Sequence, residues 1–98
     1  MEYSQMANFA QSLNFHQKAL DIRLKLLSED HPETARSYHN IGCCYYSLNE
    51  VEKALENYNK AYFLRKKILG EEHKDTIRSR SEIETLKRKI NYKSNNNV

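Results

Sequence analysis

Between Ser37 and Leu69 the small and apolar positions recur every three or four residues. Tyr38, Ile41, Gly42 and Tyr45 mark one stripe; Ala54, Leu55, Tyr58, Ala61 and Tyr62 mark a second. This periodicity predicts two amphipathic helices, over 33–47 and 50–69, joined by a tight turn, with Asn49 as N-cap of the second. Gly42, Ala54 and Ala61 lie where two helix backbones should approach closely, because a small side chain leaves room there. A third helix is predicted over 8–27, with Phe9, Leu13, His16, Ala19, Leu20 and Leu26 on its buried side. A fourth is predicted over 74–92, striped by Ile77, Ile83, Leu86 and Ile90. Pro32 suits the first turn of a helix, His31 or Asp30 its cap, and Gly70 a helix stop. Met1–Gln5 reads as a separate helical stub, and the polar run 93–98 as a disordered tail. The fold class is all-α, with about four long helices.

The chain repeats itself. Shifting the sequence by 42 residues aligns 11–38 with 53–80, and 11 of the 28 pairs are identical. About two identities would arise by chance at ordinary residue frequencies. The matches are Leu13/Leu55, Lys18/Lys60, Ala19/Ala61, Arg23/Arg65, Lys25/Lys67, Leu27/Leu69, Glu29/Glu71, His31/His73, Thr34/Thr76, Arg36/Arg78 and Ser37/Ser79. His31 and His73 fall in the predicted turns, so their recurrence points to a structural capping role. A helical pattern repeating at this spacing is the mark of a solenoid.

The order aromatic, aliphatic-Gly, aromatic, then small-aromatic-small (Tyr38, Ile41-Gly42, Tyr45, Ala54, Tyr58, Ala61) resembles a tetratricopeptide repeat. The period is longer than the usual 34 residues of that family and overlaps the HEAT and armadillo range. The turns around His31-Pro32 and Gly70-Glu71-Glu72-His73 are similar to those of the kinesin-light-chain type, whose pattern is Leu-Gly-x-x-His-Pro-x-x-Ala. Lys66 stands where the family often has a helix-ending proline, so the helix should run on. The resemblance implies a short solenoid over 1–92: a half repeat (1–30), a full repeat (31–72), and a half repeat or capping helix (73–92). Arg80, Glu84 and Lys87 replace the family's large and small positions in the last helix, as a solvent-facing end requires. The resemblance also implies protein–protein interaction, with first-type helices lining a concave groove. Carried onto this chain, the groove positions are Arg36, His39, Asn40, Cys43, Tyr46 and Ser47, then Arg78, Ser81, Glu82, Thr85 and Lys89. An amide at Asn40 suits an extended peptide backbone, and guanidinium groups at Arg36 and Arg78 suit a partly acidic one.

Composition narrows the alternatives. With 39% hydrophobic and 30% charged residues, the core must come from narrow stripes, much of it from seven tyrosines. Two glycines cannot build a phosphate loop, and no nucleophile–base–acid set stands out, so no enzyme and no cofactor are expected. His39 and Cys43, four apart on one helix, can face one ligand. No second Cys/His pair has matching spacing, so no metal site is expected. Adjacent Cys43 and Cys44 point about 100° apart on a helix and suit a reducing, cytoplasmic setting better than a disulfide. No signal segment or membrane span is expected. A net charge of +3 and the cluster Lys87, Arg88, Lys89 and Lys93, with Tyr92 beside it for stacking, make nucleic acid a distant third reading. The alternative to a peptide groove is self-association. The helix at 8–27 has lost most of its repeat partner, leaving Phe9, Leu13, His16 and Leu20 for a second copy, as a homodimer or by helix exchange.

Overall fold

The computed structural model describes the backbone of residues 3–96 and the side chains of residues 7–91. Four helices follow in order: α1 (Tyr3–Leu26), α2 (Pro32–Ser47), α3 (Val51–Leu69) and α4 (Lys74–Asn96). There is no strand among the described residues. Each helix packs on its neighbour in sequence, α1 on α2, α2 on α3 and α3 on α4. The molecule measures 44 × 33 × 19 Å, and its thin direction is close to two helix diameters. This is the quasi-one-dimensional stacking of a helical repeat, in which a hairpin buries its face only against its neighbours.

The turns are set by local chemistry. His31 caps α2: its Nδ1 accepts the Glu33 backbone N–H at 3.1 Å, and Pro32 follows at the first turn. One repeat later His73 Nδ1 accepts the Asp75 N–H, also at 3.1 Å. The two imidazoles are thus the same device used twice, each satisfying a donor that a helix start leaves orphaned. Gly70 ends α3 with φ 90° and ψ 161°, while its N–H returns to the Lys66 carbonyl. A Cβ at Gly70 would touch nothing within 4 Å, so backbone conformation alone calls for glycine here.

Asn49 has a different role from the one its sequence position suggests. It does not cap α3; the N-cap position is Glu50, whose side chain makes no capping bond. Asn49 instead closes α2 in the left-handed region, at φ 66°. The Glu50 N–H reaches the Tyr45 carbonyl at 2.8 Å, and the Asn49 N–H reaches Tyr46 at 3.0 Å. That pair of bonds is the Schellman arrangement, and asparagine is one of the few non-glycine residues that enters it readily.

The centre of the fold is the α2–α3 hairpin. Ile41, Cys44, Ala54, Tyr58, Ala61 and Leu64 are buried, and Ile83 and Leu86 close the core from α4. At Gly42 an added Cβ would lie 2.8 Å from two Tyr58 ring carbons and 3.3 Å from the Ala54 carbonyl oxygen. The missing side chain at Gly42 therefore sets the helix separation at this point. Between repeats the joint is polar. Arg23 donates to Ser37 Oγ, and Arg65 Nη1 donates to Ser79 Oγ at 2.8 Å. Both pairs are repeat-related, and Ser37, Ser79, Thr34 and Thr76 are all buried.

Three boundaries depart from the sequence expectation. From Tyr3 onward α1 is unbroken, so no separate stub precedes a helix at 8; Met1 lies outside the described residues. Nothing between Gln5 and Asn8 breaks a helix, since neither glycine nor proline occurs there. Helix α4 continues to Asn96, where a disordered tail was expected from 93; Asn97 and Val98 lie outside the described residues. Leu26 and Ile77, expected on buried stripes, are exposed. The buried register of α4 runs Thr76, Ser79, Ile83 and Leu86 instead, because Ser79 must meet Arg65.

Substituting Gly42→Ala forces Tyr58 or the α3 backbone to move. Overpacking of this kind costs about 1–3 kcal/mol. In a domain of this size each kcal/mol lowers the melting midpoint by roughly 4–8 °C. Calorimetry on the wild type and Gly42→Ala checks this, and an unchanged midpoint would show that the hairpin is not held at this contact.

Candidate functional site

Helices α2 and α4 are the first-type helices of successive repeats, and they share an inner face. A pocket of about 420 Å³ opens there, lined by His39, Cys43 and Tyr46 from α2, Tyr58 from α3, and Arg78, Ser81, Glu82, Thr85 and Leu86 from α4. The spacing 39, 43, 46 on one helix and 78, 81, 82, 85 on the other places each set on one face. Seven groove positions expected from sequence meet here: His39, Cys43, Tyr46, Arg78, Ser81, Glu82 and Thr85. Lys89 borders them, its Nζ donating to the Tyr46 hydroxyl and sitting 4.6 Å from that ring's centroid.

Arg36, Asn40 and Ser47 do not join this pocket. Arg36 is held by Glu33 at 3.6 Å and lines a separate, smaller cleft with Arg65 and Asp75 at the N-terminal ends of α2 and α4. Asn40 and Ser47 are half-buried. The repeat-related pair Arg36 and Arg78 thus faces two different spaces, and Arg78 alone is aimed at the pocket.

Tyr58 and Leu86 belong to the pocket although sequence reading placed them only in the core. The signal for Tyr58 was present: a tyrosine on a buried seam needs a partner for its hydroxyl. Here the hydroxyl donates to Cys43 Sγ at 3.3 Å. The thiol also lies 3.5 Å from His39 Nε2, and the other ring nitrogen, Nδ1, lies 3.5 Å from Glu82 Oε2. Glu82 in turn approaches Arg78 Nε at 3.9 Å.

The electrostatics follow from burial. Desolvation, with the Arg65 and Arg78 charges, lowers the His39 pKa to about 4, so the imidazole is neutral at pH 7. The 3.5 Å approach to Glu82 is therefore not an ion pair at that pH. It makes no hydrogen bond either, and His39 Nδ1 is a buried nitrogen without a hydrogen-bond partner among the described residues. Burial raises the Cys43 thiol and the Glu82 carboxyl, and raises Tyr58 further. A Cys–His–Glu line of this kind has the outline of a nucleophile and base, but not the activation. The thiol is held protonated and the base is weak. Cys43 also lies mid-helix, where backbone N–H groups are spent on helix bonds and cannot hold an oxyanion.

The residues expected to meet a second copy keep part of their surface open. Phe9, Leu13, His16 and Leu20 are half-buried. Leu20 lines a groove with Tyr38, Ile41 and Tyr45, so it is turned toward α2. Phe15, Ile22 and Leu26 on α1 are left in solvent, exposed 68, 56 and 77%, with Leu24 partly so. Ile22 is the repeat equivalent of Leu64, which is only 4% exposed. In the basic C-terminal cluster Lys87, Arg88 and Lys89 are exposed, while the side chains of Tyr92 and Lys93 lie outside the described residues.

Stacked helix hairpins with a 42-residue period and an inner groove define an α-helical repeat module. The profile of the tetratricopeptide repeat matches residues 3–67, and the chain belongs to that family. Repeats of this family mediate protein–protein interaction. A segment of 40 residues is 48% identical to the "Clustered mitochondria protein" of Arabidopsis thaliana. That segment is 41% of this chain and 3% of the plant protein, so the chain spans only a small part of that relative. No solved structure matches it. No helix among the described residues is long and apolar enough to cross a membrane.

His39 gives the fold a pH dependence. Its pKa in the folded chain lies below the ordinary value near 6.5, so the unfolded chain takes up the proton first. Its contribution is full above about pH 6.5 and is lost as pH falls toward about 4. The upper bound is about 3 kcal/mol. Glu82, raised by burial, acts in the opposite sense as it protonates. Urea unfolding of the metal-free protein at pH 7 and pH 4.5 should show a larger loss for the wild type than for His39→Gln. Equal losses would mean that His39 is protonated without penalty in the fold.

Proposed function

We propose that this chain is a protein-interaction module that holds an extended, partly acidic peptide along the inner face of α2 and α4. The observation that carries this reading is the convergence of His39, Cys43, Tyr46, Arg78, Ser81, Glu82 and Thr85 on one open pocket. Its walls combine apolar surface from Tyr46, Tyr58 and Leu86 with a few polar groups, the usual make-up of a recognition pocket. Arg78 is 68% exposed at the side chain and only loosely paired with Glu82, so its guanidinium is available to a carboxylate. Lys89 supplies a second positive charge beyond Tyr46. The cytoplasm is the setting this reading assigns, and no catalytic role is part of it.

The test is selection of peptides from a displayed library, followed by anisotropy titration of the winners. Enriched peptides should carry Asp or Glu, and Arg78→Glu should weaken them at least tenfold, which is about 1.4 kcal/mol. Winners without acidic residues, or winners that bind Arg78→Glu as well as the wild type, would overturn the reading.

A second reading, a homodimer formed through α1, is favoured by the contrast between Ile22 and Leu64. Phe15, Ile22 and Leu26 are the residues it now requires. Light scattering across concentrations should show a dimer that the double substitution Ile22→Lys, Leu26→Lys disperses. A monomer mass at every concentration would end this reading.

A further inference from the structure

Spacing along the chain offered only a two-residue pair for a metal, His39 and Cys43. The fold adds a third donor from the next repeat. A nitrogen of His39, Cys43 Sγ and a Glu82 carboxylate oxygen all lie within 4.8 Å of one another. We infer that His39, Cys43 and Glu82 form a binding site for a zinc-class divalent ion, with the fourth position open to the inner pocket.

The dimensions fit such an ion. Zinc bonds of about 2.3 Å to sulfur and 2.0–2.1 Å to nitrogen, at a tetrahedral angle, separate the two atoms by about 3.6 Å. Cys43 Sγ and His39 Nε2 are 3.5 Å apart already, since an i, i+4 pair on one helix face brings them together. Glu82 lines the same pocket with Oε2 3.5 Å from the other ring nitrogen, and binding requires its carboxylate to turn from Nδ1 toward Nε2. The donor set of one thiolate, one imidazole and one carboxylate selects zinc or cobalt over magnesium or calcium, which want oxygen throughout.

Two further features point to a ligand. The His39 ring is neutral, so with its proton on Nδ1 the Nε2 lone pair is free to face Cys43 Sγ and bind an ion. The Tyr58 hydroxyl donates to Cys43 Sγ, which is what an outer-shell group does for a metal-bound thiolate. On binding, the Cys43 S–H proton is released to solvent and the sulfur lone pair passes to the metal. Arg78 and Arg65 offset the negative charge that the thiolate and the carboxylate bring together. Because the donors sit on α2 and α4, the ion ties the last helix to the full repeat. None of this depends on a peptide occupying the groove.

The experiment is a titration of tag-free, reduced protein with Co²⁺, followed by its visible d–d bands and the near-ultraviolet thiolate charge-transfer band. The wild type should saturate at one ion per chain with intense, tetrahedral-type bands, and Zn²⁺ should displace the cobalt. Cys43→Ser should abolish the charge-transfer band, and Glu82→Gln should weaken binding at least tenfold. Cys44→Ser should bind as the wild type does. Circular dichroism melts of the metal-free variants confirm that each is folded, and Zn²⁺ should raise the melting midpoint of the wild type but not of Cys43→Ser. Absence of a saturable band would overturn the site. So would a charge-transfer band that survives Cys43→Ser, one lost in Cys44→Ser, or affinity unchanged in Glu82→Gln.

Discussion

The contact between Gly42 and the ring of Tyr58 sets the geometry of everything else. With no Cβ on α2 at that point, α3 comes close enough for an aromatic ring to lie against the α2 backbone. The ring buries apolar area and fixes the separation of the hairpin. Its hydroxyl then projects past the seam and meets Cys43 on the inner face. One side chain is thus core at its ring and pocket at its tip. Had the helices stood further apart, Tyr58 would fill the gap and its hydroxyl would not reach the thiol.

The joint between hairpins works by a different principle. Within a hairpin the contact is apolar and shaped by small residues. Between hairpins it is Arg23 on Ser37 and Arg65 on Ser79, with Thr34 and Thr76 fully buried alongside. A guanidinium is weakly hydrated and planar, so it can enter an interface that a lysine ammonium would resist. A buried polar joint also has directional requirements that an apolar one lacks, and a slip of one residue would leave an arginine and a serine unpaired. That requirement explains why α4 turns Ser79 inward and leaves Ile77 in solvent, against the simple reading of its apolar stripe.

Much of this was legible in the sequence because repetition reports on itself. Pairs identical at a spacing of 42 proved to be pairs in the same physical role: two histidine caps, two arginine–serine bonds, two buried threonines. The groove positions came instead from the resemblance to the repeat family, and helix periodicity explains why 39, 43 and 46, like 78, 81, 82 and 85, share a face. What failed were features that no single helix contains. Asn49 has the side chain of an N-cap, but the left-handed turn that closes α2 claimed it first. The apolar face of α1 was assigned by its own stripe, yet among the described helices α1 packs on α2, and Phe15, Ile22, Leu24 and Leu26 stay in solvent. Glu82 met His39 and Cys43 only through the rise from one repeat to the next, a vector that spacing along the chain does not encode.

These two kinds of contact also divide the labour of the inner face. The apolar hairpin seam carries His39, Cys43 and Tyr58 as one rigid unit, because all three are set by the α2–α3 packing around Gly42. Arg78, Ser81, Glu82 and Thr85 ride on α4, whose placement depends on the Arg65–Ser79 bond and on Ile83 and Leu86. Among the described helices α4 rests on α3 and meets α2 across the pocket, a smaller contact than that within the α2–α3 hairpin, so its opening free energy lies below the hairpin's. The pocket is therefore a boundary between a stiff wall and a softer one. Any ligand that contacts both walls, whether peptide or ion, gains its affinity only when α4 is docked, and so must stabilise α4 by the same linkage. Recognition and the docking of α4 are one equilibrium in this molecule, read at two places.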